Sequence, residues 1–461
     1  MDLRAQLEAL GSAGDLAVIE EHLAAAPEPF AVAAEAARTN GPALLFEDVP
    51  GEGRLVAGTG GGPDRTVPRE QFPRSRVAEA LGLSRTVSYS AMLETIVGAG
   101  RESETPQSGN LAGDLRDVSL PSLGLPRVDS SSRPLVTSGI LAVEEDGATR
   151  WAPVRGTVHD RETVHVTVPE TVAVAAAGEP VRVAMGVPTA ALLAAHVTAR
   201  GGYHRWSGTG PAIAGCLADI EVADADGPAV PASSEVVVGA SATRSGAVLP
   251  GPRARWEAAV ETATLELTVG TVATRADPLV PVVPVGEPLA DDVHLAGLVE
   301  AAQLYARVND YWGVSPVEWV NLPVEAGLGI CLVASEILYA GFEWQLANTL
   351  FSYTSLFDKV FIFDADRSAD DLGRAFDDIW VKAHPSRDWT FSEPEAPAPT
   401  ATGYRQDGTT GERLHVNAAW DPGWDEEYIA PEVGFETTYS REMQAAVLDR
   451  WEEFGFEAEE D

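Results

Sequence analysis

The sequence predicts an α/β protein in three parts, with a β-rich middle region between two regions that mix helices and strands. Three observations carry that expectation. Helical and strand-like apolar patterns alternate through the first part; Leu135 to Val285 holds mainly short β-rich runs separated by turn residues; apolar strands and amphipathic stretches return after Leu295. At roughly 150 residues per domain, 461 residues suffice for two or three such units. A hydrophobic content of 45% is that of an ordinary globular chain with a sizeable core.

In the first part, Leu3, Leu7 and Leu10 recur at helical spacing until Gly11. A second helix is expected over about Ala31–Arg38, closed by Asn40-Gly41. Ala43-Leu44-Leu45-Phe46 is a short apolar run before the turn sequence Asp48-Val49-Pro50-Gly51, hence a strand. Helices near Arg76–Leu81 and Ser90–Ala99 complete this layer, and the polar stretch 101–119 reads as a connector. In the middle part, Gly139–Val143, Val164–Val168, Val181–Met185, Glu235–Val238 and Leu265–Val272 are expected strands of a barrel or sandwich, interrupted by one helix near Thr189–Thr198. The third part starts with a helix over Leu295–Tyr311 and a strand over Leu328–Ala334. An aromatic-rich segment, Ile337–Phe357, leads to a strand, Lys359–Asp364, and an amphipathic helix, Ala369–Lys382, which together make an α/β unit. Pro394–Pro399 is a Pro/Ala-rich linker and Met443–Phe454 a closing helix. The divisions fall at 1–119, 120–292, 293–392 and 393–461.

Charge describes the solvent more than the chemistry. The formal net charge is -38, and of the 32 basic residues only Lys359 and Lys382 are lysines. Dispersed carboxylates at this density stay hydrated where salt screens ordinary repulsion, so the chain reads as a protein of a salt-adapted microbe such as a haloarchaeon; an acidic protein of a GC-rich bacterium is the alternative. So negative a surface repels nucleic acid. No run of 18 apolar residues is present, so no membrane span is expected. The N-terminus lacks the basic start and apolar block of a secretory signal. With only Cys216 and Cys331, a disulfide framework is excluded and a reducing, cytoplasmic location fits.

Several stretches invite a site. Gly58-Thr59-Gly60-Gly61-Gly62 suggests a phosphate cradle, but lacks the Gly-Lys-Ser/Thr ending of a P-loop and reads as a flexible loop. His159 and His165 would face one side of a strand and could suit a metal, yet no third ligand accompanies them, which favours incidental histidines. Arg253-Ala254-Arg255-Trp256-Glu257 could hold an anion and supply an acid, or be an exposed loop with one aromatic anchor. The series Tyr339, Phe342, Trp344, Phe351, Tyr353 and Phe357 reads as helix packing. Asp364, Asp366, Asp370 and Asp371 read as a solvated loop and helix cap rather than a cation site.

Taken end to end, the chain resembles the UbiD family of carboxy-lyases. The resemblance rests on Ser12-Ala13-Gly14-Asp15-Leu16, Gly41–Val49, Val136-Thr137-Ser138-Gly139-Ile140, Arg155–Asp160 and Val230–Val237. It continues in Phe357–Asp366, His384-Pro385-Ser386-Arg387-Asp388 and Asp449–Gly455. Membership implies an N-terminal α/β domain, a central split β-barrel like those of flavin reductases, and a C-terminal α/β domain used for dimerisation. It implies decarboxylation, or reversible carboxylation, of aromatic or α,β-unsaturated acids with prenylated FMN, which a separate flavin prenyltransferase makes. It implies a homodimer or higher homo-oligomer. It also implies an arginine that orients the carboxylate and an acid that protonates carbon after CO2 leaves. An arginine suits the first role as a bidentate clamp, and a carboxylic acid suits the second where burial raises its pKa.

Position by position, the family's pattern is partly replaced. In Arg150-Trp151-Ala152-Pro153-Val154-Arg155, Arg155 matches the catalytic arginine, whereas Arg150 stands where the family has a metal-binding Asn. Thr171 is the counterpart of the metal-binding His, and Gly210 that of the metal-binding Glu, so a divalent metal is in doubt. The family's acid motif corresponds to Pro250–Arg255, where both carboxylates are gone; Glu257, two residues on, is the remaining candidate acid. Trp420 stands where the family has a Lys. Arg150 could replace the metal by pairing directly with a phosphate. Two functions therefore stand: a carboxy-lyase holding prenylated FMN, or a non-catalytic paralogue acting as a ligand-binding or partner subunit.

Overall fold

A computed structural model describes residues 1–24, 26–61, 74–101, 106–115, 118–199, 208–225, 227–247, 260–284, 286–287, 289–367, 372–392, 412–420 and 434–455. The chain opens with α1 (Leu3–Ser12), β1 (Leu16–Ile19), α2 (Glu28–Arg38), β2 (Ala43–Phe46), β3 (Arg54–Ala57), α3 (Ser75–Ala80) and α4 (Tyr89–Arg101). Asp2 caps α1 by accepting the Ala5 N–H at 2.8 Å, and Leu3, Leu7 and Leu10 are its buried face.

The middle part contains β4 (Asp114–Leu115), β5 (Leu135–Val136), β6 (Ile140–Glu145), β7 (Ala148–Pro153), β8 (Arg155–Val158) and β9 (Thr163–Pro169). After α5 (Glu170–Ala176) and β10 (Pro180–Met185) come α6 (Thr189–Ala199) and α7 (Gly210–Ala218). The short β11 (Val222–Ala223) and β12 (Val230–Pro231) precede the long β13 (Val236–Ser245) and β14 (Thr262–Thr274), then β15 (Leu279–Pro281). The sheet runs β5-β8-β9-β14-β13-β10-β6-β7 with antiparallel pairing throughout, and curls into a half-barrel. β15 leaves it and pairs in parallel with β3, completing a sheet of order β1-β2-β3-β15.

Both faces of the curled sheet are covered, which explains its nearly unbroken apolar runs. Successive residues alternate between two cores. Leu141 and Val143 of β6, Val183 of β10 and Val238 of β13 pack inside the half-barrel. Ile140, Ala142, Ala184 and Val237 face a helical layer that includes α4, α6 and α7. α6 is buried almost all round and carries little polar surface, as its middle position requires.

The third part comprises α8 (Asp291–Trp312), β16 (Val317–Asn321), β17 (Ile330–Ser335), α9 (Phe342–Tyr353), β18 (Lys359–Phe363), α10 (Leu372–Lys382), β19 (Trp389–Phe391) and β20 (Leu414–Ala418). Its sheet runs β16-β17-β18-β20-β19, parallel at the centre and antiparallel at both edges. The aromatic series divides as helix packing demands: Phe342, Phe351 and Phe357 are buried, while Tyr339 and Trp344 face solvent. Two short helices close the described chain, α11 (Phe435–Thr438) and α12 (Arg441–Leu448), the latter shorter than the periodicity suggests because the chain turns at Asp449. No helix among the described residues is long and apolar enough to cross a membrane.

Candidate active site

A cavity of about 930 Å³, open to solvent, lies where the half-barrel meets α6 and the start of α8. Its apolar wall includes Val154, Val168, Val187, Leu192 and Leu295. Arg155, half-buried at the start of β8, lines it beside Thr167, its directly paired neighbour on β9. His196 of α6 and Thr59, Gly60, Asp291 and Asp292 also reach it. A cation set in a largely apolar wall can anchor a carboxylate through paired, charge-assisted hydrogen bonds.

The glycine loop has a specific task. Arg76 of α3 is 2% exposed and uses every donor it has. Its Nε and Nη2 grip both oxygens of Asp15 at 2.7 Å, Nη1 donates to the carbonyls of Gly58 (2.7 Å) and Gly61, and Nη2 also reaches the Gly41 carbonyl at 2.9 Å. Arg85 adds a second contact to Asp15 at 3.1 Å. At Gly61 a Cβ would stand 2.5 Å from the His294 ring and 3.0 Å from the Asp291 carboxylate, so only glycine fits. The loop thus wraps a buried guanidinium on one side and an acid on the other.

That acid is Asp291, in the first turn of α8. The backbone N–H groups of Thr59 and Gly60 donate to its carboxylate, and Arg76 lies close enough to favour its anion. Burial outweighs both, with Asp292 assisting, and pushes its pKa up to about 6. Nearby His294 is driven down to about 3 by burial and by Arg74 and Arg76, so its ring is neutral. Nothing in the sequence reading singled out Asp291, Asp292, His294 or Arg76. The available signal was the Asp-Asp pair just before the apolar period of a helix expected at Leu295, which in the structure begins four residues earlier.

Arg150 and Thr171 are brought together. Arg150 Nη2 donates to Thr171 Oγ1 at 2.8 Å and Nη1 to Glu145 at 3.0 Å, where β7, the start of α5 and the end of α6 meet. Of these elements, β7 and α6 furnish Pro153 and His196 to the cavity, and Pro169, the last residue of β9 before α5, lines it as well. At Gly210 a Cβ would fall 2.6 Å from Trp151, a fully buried indole whose Nε1 donates to the Ala229 carbonyl at 2.7 Å. A guanidinium, a hydroxyl and a glycine with no room for a side chain do not make a divalent-ion site. Among the described residues no group of three His, Cys, Asp or Glu could hold a metal.

The other candidates lie elsewhere. Trp420 follows β20, its N–H donating to Asp364 at 3.0 Å and its ring 5.2 Å from Lys382 Nζ; it is not among the residues lining the cavity. Asp364 is thereby engaged, its other oxygen pairing with Lys382. His159 and His165 touch, with ring centroids 4.1 Å apart, and His165 pairs with Glu266 at 3.0 Å. Glu257, the Pro250–Arg255 stretch, Gly62, Asp370, Asp371 and the Pro394–Pro399 linker lie outside the described residues.

Comparison with known proteins matches both ends of the chain to one family. The model described as the 3-octaprenyl-4-hydroxybenzoate carboxy-lyase N-terminal domain matches residues 7–96, and its C-terminal counterpart residues 293–418. Among solved structures, the UbiD-class enzyme HmfF of Pelotomaculum thermopropionicum, in complex with FMN, superposes with a TM-score of 0.77 at 17% identity, covering 94% of this chain and 97% of that one. The open form of vanillic acid decarboxylase from Sedimentibacter hydroxybenzoicus gives 0.78 at 17% identity, covering 98% and 99%. The apo 3,4-dihydroxybenzoic acid decarboxylase of Klebsiella pneumoniae gives 0.72 at 15% identity, covering 96% and 99%. At such identities the likeness establishes the fold. Among curated proteins, none matches by sequence.

Proposed function

The chain belongs to the UbiD family, and from that premise we propose that it is a carboxy-lyase acting on an aromatic or α,β-unsaturated acid with prenylated FMN. The observation that carries the reading is Arg155, set in the wall of an otherwise mostly apolar cavity. Arg155 orients the substrate carboxylate, and the valine and leucine walls contact the apolar part of the substrate. When bound, the prenylated flavin supplies the electron-accepting centre that lets CO2 depart. Its phosphate would be held by Arg150, with Thr171 adjacent, in place of the ion that the residues here cannot ligate. No role in holding the cofactor is assigned to Trp420, whose described contacts are with the C-terminal sheet and α10.

The second reading, a ligand-binding subunit without turnover, draws support from Trp151, which fills the space beside Gly210, and from Glu145, which already occupies Arg150. One experiment separates the two. The chain is co-expressed with a flavin prenyltransferase and purified at high salt, and its absorbance and CO2 release from a panel of aromatic acids, including vanillate and 3,4-dihydroxybenzoate, are measured. Bound flavin, with turnover that Arg155→Ala abolishes, supports the carboxy-lyase. A colourless protein that releases no flavin on denaturation removes it and leaves the subunit reading.

A further inference from the structure

Asp291 lines two cavities. One is the cavity that holds Arg155; the other is an outer cleft of about 350 Å³, open to solvent, bounded by Ala33, Ala36, Gly58, Gly61 and Arg76. Asp291 is half-buried where the two spaces approach each other. A carboxyl in that position borders both the cavity that holds Arg155 and the outer cleft.

We propose that Asp291 delivers the proton that replaces the departing carboxylate and is recharged through the outer cleft; the inference rests on the carboxy-lyase reading above. In the step, the bond from the substrate carbon to its carboxylate breaks, CO2 leaves, and the electron pair stays on carbon. The Asp291 O–H bond then breaks, its proton forms the new C–H bond, and Asp291 is left as a carboxylate. A proton from water in the outer cleft restores the acid. Charge and atoms balance, since one carboxylate anion enters as substrate and one remains on Asp291.

The surroundings suit both states of the group. Its own helix presents Asp292 and neutral His294. The loop presents the Thr59 and Gly60 N–H groups, and α3 with the residue before it presents Arg76 and Arg74. Arg76 is itself compensated by Asp15, which Arg85 also contacts. Burial favours the acid, whose pKa of about 6 leaves it half-protonated at about pH 6 and about one-tenth protonated at pH 7. The N–H groups and Arg76 hold the anion once the proton has gone. His294, charged only at far lower pH, does not compete as donor.

The test starts with the full-length, cofactor-free protein, so it does not depend on turnover. Infrared difference spectra are recorded across the pH range for wild type, Asp291→Asn and Asp291→Glu, each shown folded by cooperative unfolding. A protonated-carboxyl band with a midpoint near 6 should appear in wild type, vanish in Asp291→Asn and return, shifted, in Asp291→Glu. At that pH nearly all other carboxyls are ionised, so the band is separable. Identical spectra in wild type and Asp291→Asn overturn the proposal. In flavin-loaded protein, Asp291→Asn should lower kcat by about 100-fold or more with flavin content and KM little changed, and Asp291→Glu should recover part of it. Unchanged CO2 release with flavin bound overturns the role of Asp291 alone. Failure of wild type to bind flavin overturns the carboxy-lyase reading, and proton delivery with it.

Discussion

Replacing Asp291 by Asn should make the protein more stable above neutrality, by an amount that disappears in acid. The folded-state pKa is raised from 3.8 to about 6, so at pH above 6 the fold holds an anion that its surroundings disfavour. At about 1.4 kcal/mol per unit the cost is about 3 kcal/mol. The cost is fully present above the folded pKa and shrinks as pH falls, because between 3.8 and 6 the folded state binds more protons than the unfolded one. Below 3.8 both states are protonated and the cost is gone. Asn mimics the neutral acid and can still accept an N–H from the loop, so the expected gain is about 1–3 kcal/mol at pH 8 and near zero below about pH 4. Urea unfolding of both proteins at constant high salt, repeated across pH, measures it. A gain that stays constant with pH, or a loss at high pH, would refute the argument that burial controls this group.

Further outcomes follow from neighbouring residues. His294 is held neutral to about pH 3, so its contribution is present above 6.5 and lost as pH falls through that window. His294→Gln should therefore flatten the acid limb of the stability profile, by up to about 5 kcal/mol between pH 6.5 and 3. Gly210→Glu restores a family ligand in name only; the side chain would displace Trp151, so it should cost about 1–3 kcal/mol and confer no Mn2+ binding in equilibrium dialysis. Phe376 and Trp380, one helical turn apart on α10, are 71% and 82% exposed. Such a patch fits a homo-oligomer contact, and Trp380→Asp should lower the mass found by sedimentation velocity.

The architecture was largely legible because it rests on period. Ala43–Phe46, Val181–Met185 and Thr189–Thr198 lie almost where apolar spacing places them. The alternation of Leu141 and Ala142 between two cores was not legible, since a strand buried on both faces is apolar throughout. At the site, the resemblance singled out Arg155, Arg150 and Thr171 because it aligns positions far apart in sequence, but the hydrogen bond between Arg150 and Thr171 is visible only in the structure. Asp291 could not be found that way. Its chemistry comes from enclosure by Gly58–Gly61, Arg76 and Leu295, and enclosure is a property of the packed chain. The glycine run looked like a flexible loop because its reason, a guanidinium from α3 needing carbonyls, comes from Arg76, 18 positions after Gly58 and 15 after Gly61.

Substituting Arg150 for an ion-binding residue changes what phosphate must compete with. Arg150 is already paired to Glu145 at 3.0 Å. The two partners differ in enclosure: the Arg150 side chain is 17% exposed and that of Glu145 40%. Glu145 can therefore turn to water at a cost of about 1 kcal/mol or less, as for other surface pairs, while Arg150 stays in place through Thr171. On the reading proposed above, phosphate binding would consist of exchanging one anion for another. Glu145→Gln removes the competitor and should tighten FMN binding up to about fivefold, the equivalent of about 1 kcal/mol, in a flavin-fluorescence titration. Unchanged or weaker FMN binding would mean that Arg150 and Glu145 form a structural pair, and that the phosphate, if held, is held elsewhere.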